Sequence, residues 1–159
     1  MTSCKTLLVA TTLAVMLPLL IQAQQAADPE LGTWKLNLAK SKYDPGPGPK
    51  SVERAYSLTP QGTKISIHGV NAAGAAIEEE STFTYDGKQH PITGVADYDR
   101  IAIKRITPFE ATTDLIRAGK VIGKIKRVVS QDGKTLTVSV HLTNANGEPV
   151  HDLSVYDRQ

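Results

Sequence analysis

The sequence predicts an all-β chain, an antiparallel up-and-down barrel of about ten strands, and three observations lead there. Turn signals recur at intervals of roughly 12 residues, the rhythm of short strands joined by hairpins. Between the turns, apolar and polar residues alternate with period two. No window keeps apolar residues at i, i+3, i+4 and i+7 long enough to specify a helix; residues 72–80 come nearest, and the turn before them breaks the pattern.

The first segment is read as an address. Met1–Lys5 carries one positive charge, Thr6–Ile21 is apolar or small with Pro18 inside it, and Ile21-Gln22-Ala23 fits a signal-peptidase site. About 16 apolar residues fall short of the roughly 20 that span a bilayer, so a cleaved secretory signal over residues 1–23 is expected rather than an anchor. Cys4 precedes the apolar stretch, where a lipoprotein cysteine would follow it. The single Cys excludes a disulfide scaffold and a thiolate metal cluster. Residues 24–30 read as a flexible entry segment, and residues 31–159 as one barrel domain of an exported, periplasmic or secreted protein.

Turns are marked by Thr59-Pro60-Gln61-Gly62, Asn71-Ala72-Ala73-Gly74, Asp86-Gly87, Gly94 to Asp99, Thr107-Pro108, Ala118-Gly119-Lys120, Gln131-Asp132-Gly133 and Asn144-Ala145-Asn146-Gly147. Gly, Asn and Asp accept the positive φ of tight hairpins, and Pro fixes the approach. The strands between them are expected at 31–38, 51–59, 63–70, 75–85, 88–93, 99–106, 110–117, 121–130, 135–144 and 149–157. Leu136, Val138, Val140 and Leu142, alternating with Thr and Ser positions and His141, give the clearest half-buried strand. Ala39–Lys50 is the one long connection, and its three prolines at 45, 47 and 49 favour extended backbone over helix.

Ten antiparallel strands in one open sheet would expose two long edges. Closing the last strand on the first removes them. A sandwich needs long crossovers, and only one long connection exists.

The opening Gly32-Thr33-Trp34-Lys35-Leu36 resembles the first strand of calycins, the superfamily of lipocalins and intracellular fatty-acid-binding proteins. The resemblance implies a meander closing on its N-terminal strand, with a basic residue near the last strand packed over the Trp. Arg158 is placed for that part, so Trp34 and Arg158 are expected to close the barrel base. The wider segment Trp34-Lys35-Leu36-Asn37, Lys40-Ser41-Lys42-Tyr43 and Pro45-Gly46-Pro47 is similar to a group of small exported bacterial proteins. Two departures stand out. Fatty-acid-binding proteins place two helices after the first strand, where this chain has the Pro/Gly segment. Their last strand grips a ligand carboxylate with an Arg-x-Tyr pair; if Tyr156 matches that Tyr, Ser154 stands where the Arg would be.

Candidate ligand contacts come from the alternation. Arg127 shares a face with Val121, Ile125 and Val129, and Arg105 with Ile101 and Ile103; if those faces point inward, two guanidinium groups could hold an anionic ligand head. Otherwise each reaches solvent past its stem. Glu79 falls with Ile77, Ser81 and Phe83, either inward or at a bulge, and Phe83 and Tyr85 complete the candidate ligand-binding set. Glu78 and Glu80 read as a solvated outer face paired with Lys64 or Lys104. His68, His90, His141 and His151 lie on different strands, and no metal site is expected.

With 18 Lys and Arg against 16 Asp and Glu, the chain does not suit phosphate-backbone binding, and no nucleic-acid partner is expected. It carries no nucleophile elbow, zinc-protease motif, phosphate loop or dinucleotide fingerprint; no enzyme activity and no cofactor are expected. Asp97 and Asp99 around Tyr98 read as turn residues. One Trp, five Tyr and two Phe leave medium aliphatics to fill a ten-stranded interior. The expected function is therefore binding of a small apolar or amphipathic molecule in an under-filled barrel. The alternative is a solid-cored interaction or structural module of the cell envelope.

Overall fold

The computed structural model describes residues 28–159; the expected signal peptide lies outside the described residues. Ten strands run β1 (Gly32–Leu36), β2 (Ser51–Thr59), β3 (Gly62–Val70), β4 (Ala76–Phe83), β5 (Asp86–Pro91), β6 (Arg100–Thr107), β7 (Glu110–Arg117), β8 (Lys120–Val129), β9 (Thr135–Thr143) and β10 (Pro149–Arg158). They form one antiparallel sheet in the order β4-β3-β2-β1-β10-β9-β8-β7-β6-β5. The only helical element among the described residues is one 3-10 turn, Leu38–Lys40, capped by the Asn37 side chain.

The chain closes as expected, with its first strand between β2 and its last. Trp34 pairs with Arg54 on one side and Arg158 on the other. The remaining seam, between β4 and β5, is thin. Glu80 and Thr93 exchange backbone hydrogen bonds of 3.3 and 3.0 Å, and the Ser81 hydroxyl donates to Pro91 O at 2.7 Å. The barrel is nearly closed, and this seam is its weakest wall.

Alternation puts one face of each strand inside: Val52, Arg54 and Tyr56 on β2, Ile65 and Ile67 on β3, Ile101 and Ile103 on β6, and Leu136 and Val138 on β9. Register shifts within β5–β6, β6–β7 and β7–β8 bend the wall; the last buries both Leu115 and Ile116. Strand β5 begins at Asp86, inside the expected turn. Asp86 pairs with Lys104, and Gly87 at φ 76° absorbs the irregularity, so Thr84 and Tyr85 leave the strand.

Candidate functional site

The base of the barrel is sealed by the residues just before β1. Leu31 N donates to Asp28 O at 3.1 Å, and the Trp34 indole Nε1 donates to Glu30 O at 2.9 Å. The Arg158 guanidinium lies 4.0 Å from the Trp34 ring centroid and donates to the carbonyls of Leu31, Pro29 and Gly133. This turn carries the Glu30 side chain into the barrel, where only 2% of it is exposed.

The Glu30 carboxylate accepts from Arg127 Nε, from the Tyr85 hydroxyl at 2.8 Å and from Arg105 Nη1 at 3.3 Å. Arg105 also pairs with Asp28 and lies 3.7 Å over the Tyr85 ring. Burial alone would raise the Glu30 pKa. The Arg127 charge, the Tyr85 and Arg127 hydrogen bonds and the more distant Arg105 charge outweigh it, and the carboxyl titrates below its ordinary value. Burial and the neighbouring Glu30 charge push the Tyr85 phenol up.

Above this cluster is a cavity of about 40 Å³, room for two or three waters. Its polar lining is Arg54, Tyr56, Glu79, Tyr98, Thr113 and Arg127; isoleucines and Phe83 form the rest of the wall. Arg127 Nη1 donates to the Thr113 hydroxyl at 2.7 Å. Among the described residues, Arg54 Nε and Nη1, Arg127 Nη2 and the Tyr56 hydroxyl have no hydrogen-bond partner. The Arg54 guanidinium instead stacks 5.0 Å from the Tyr156 ring centroid. Burial pushes the Tyr56 phenol up to about 12, so it is a neutral donor at pH 7. Burial also raises Glu79, with Arg54 partly offsetting it.

At the opposite end from Glu30 lies a recess of about 580 Å³ framed by Tyr43, Pro45, Pro47, Pro49, Asp97 and Asp152. Ile77, on its wall, is two residues from Glu79 in the cavity, and Asp97 is next to Tyr98.

The five sequence-predicted contacts thus fall into two touching groups. Arg127, Phe83 and Glu79 line the cavity, whereas Arg105 and Tyr85 belong to the base cluster with Glu30. Phe83 and Tyr85 join the groups by an edge-to-face contact, centroids 5.4 Å apart. Arg158 packs over the Trp34 ring at the base of the barrel. The sequence reading omits five polar residues of this region: Glu30, Arg54, Tyr56, Tyr98 and Thr113. Arg54 could have been found, since it sits between Val52 and Tyr56 in the alternation of β2. No group of three or more His, Cys, Asp or Glu able to hold a metal occurs among the described residues. No helix among them is long and apolar enough to cross a membrane.

No protein-family model matches the chain, and no curated protein sequence matches it. Among solved structures it is similar to the zebrafish ileal bile acid-binding protein complexed with cholic acid, with a TM-score of 0.48 and 8% identity, covering 82% of this chain and 99% of that one. The fold is a nearly closed barrel of ten antiparallel strands whose last strand pairs with the first, with Arg158 stacked on the Trp of Gly32-Thr33-Trp34.

Proposed function

We propose that the protein is exported and that its barrel binds a small amphipathic molecule, an anionic group seated between Arg54 and Arg127 and apolar atoms against the isoleucine wall. The role is binding rather than catalysis. The observation that carries this reading is the set of orphaned donors around one cavity. Buried polar groups are normally paired, and a buried charge without a partner is expensive. Glu30 balances Arg127, and Asp28 balances Arg105. Arg54 has only Glu79, whose burial favours its uncharged form. A carboxylate or phosphate group would satisfy the free guanidinium and phenol donors together.

The cavity admits little more than the head of such a ligand. The β4–β5 seam, held by a single backbone bridge, is where the wall yields most readily. The small cavity also supports the second reading, a solid-cored interaction module without a small-molecule ligand.

Native mass spectrometry of protein purified from its host, followed by calorimetric titration with octanoate and octan-1-ol, tests the choice. The proposal predicts that octanoate binds and the alcohol does not. Arg54→Met and Arg127→Met should each weaken octanoate by roughly 10- to 100-fold, the scale of a charged hydrogen bond. Equal binding of acid and alcohol, or an unchanged Arg54→Met, refutes the anion seat. An empty spectrum with no saturable binding favours the interaction module. Export is checked by N-terminal sequencing of the host protein: a start near Gln24 supports it, and retention of Met1 refutes it.

A further inference from the structure

On the outer wall, His141 of β9 and His151 of β10 stand directly opposite each other in the antiparallel register. Both are exposed; their Nδ1 atoms lie 2.7 Å apart and their ring centroids 5.0 Å. The nine residues between them in sequence conceal the pair, which exists only because the β9–β10 hairpin brings them together. Neither ring makes another hydrogen bond among the described residues. On the β8 side, Lys124 is opposite His141, but its ammonium is held by Asp114 at 2.5 Å. Next to His151 the neighbour is the Asp44 segment, whose carbonyl accepts from His151 N at 2.7 Å. The two imidazole nitrogens therefore face each other at the exposed surface, and the Lys124 ammonium opposite is already paired.

We infer that His141 and His151 form a two-nitrogen chelate for a divalent late transition ion, Cu²⁺ above all and Zn²⁺ more weakly. Imidazole suits these ions, and the ordering of divalent affinities puts copper first. Each neutral ring ligates through Nδ1 and keeps its proton on Nε2, and water fills the remaining positions. With metal–nitrogen bonds of about 2.0–2.1 Å, cis ligation in a tetragonal Cu²⁺ site needs the two nitrogens about 2.9 Å apart, and tetrahedral Zn²⁺ needs about 3.3 Å. Exposed side chains achieve that by small χ rotations, with no change in the strands.

The test uses the tag-free protein at pH 7.5, titrated separately with Cu²⁺ and Zn²⁺ by calorimetry, with electron paramagnetic resonance of the copper form. One ion per chain and hyperfine coupling to two nitrogens are expected. His141→Ala and His151→Ala should each weaken Cu²⁺ by about 100-fold or more, because the second ligand contributes an intramolecular binding step. His68→Ala and His90→Ala should bind as the parent does. His141→Asn and His151→Asn, with circular dichroism, separate a lost ligand from a lost fold. Absence of saturable binding overturns the inference, as does a one-ion site that survives loss of either His.

Discussion

The Glu30 carboxylate and the Arg127 guanidinium, 97 residues apart in the chain, form an ion pair inside the barrel with both side chains almost wholly removed from solvent. Two arginines and a tyrosine hydroxyl hold a carboxylate there that the chain itself supplies. This explains why Arg105 and Tyr85 are occupied while Arg54 is not.

Removing one partner of a buried pair leaves the other charged and unpaired. Glu30→Gln should cost about 3–5 kcal/mol in chemical denaturation. Replacing both partners, as in Glu30→Leu with Arg127→Met, should restore most of that loss. A double variant as unstable as the sum of the singles would contradict the coupling.

The pair also fixes an acid limb. The Glu30 carboxyl has a folded-state pKa below its ordinary value of 4.5, so its stabilisation is fully present above 4.5 and is lost as pH falls through the lower folded value. Unfolding free energy measured from pH 6 to pH 3 should fall in the parent and fall less steeply in Glu30→Gln. Parallel curves would show that Glu30 does not contribute.

Arg54 has the opposite balance. Its buried Nε and Nη1 lack partners, each a desolvation cost of about 1–3 kcal/mol, while stacking on Tyr156 returns about 1–2 kcal/mol. Arg54→Met in the ligand-free protein should therefore raise the melting temperature although it removes the ligand seat. A clear drop in melting temperature would assign Arg54 a structural role instead.

The β4–β5 seam depends on Gly94. Its φ is 83°, and a Cβ there would lie 1.7 Å from Glu78 O. Gly94→Ala should push the 92–94 segment off β4 and cost roughly 1–3 kcal/mol. Amide exchange at Glu80 and Thr93 should accelerate more than exchange in β9, and uniform acceleration would contradict a local seam.

Much of this was legible in the sequence, for definite reasons. Period-two alternation grouped Arg127, Phe83 and Glu79 with apolar neighbours on one face of their strands, because a strand has only two faces, but left open whether those faces point inward. The Gly32-x-Trp34 opening and the distant Arg158 marked the base. Glu30 was not legible: it precedes the first strand, and its burial follows from Asp28–Leu31 turning under the barrel, a tertiary event without local pattern. Arg54 was passed over because a charged residue inside an alternation reads as an interruption rather than as an occupant of the core. The meeting of His141 and His151 needed the β9–β10 register, which depends on where the Asn144–Gly147 turn closes.

The central claim is that Arg54 Nε and Nη1 form an anion seat with Arg127 Nη2, and the Nε–Hε resonance of Arg54 reports on it most directly. In a titration followed by nuclear magnetic resonance, octanoate should shift that resonance to saturation, while octan-1-ol leaves it in place. A resonance that ignores octanoate, or answers acid and alcohol alike, would contradict it.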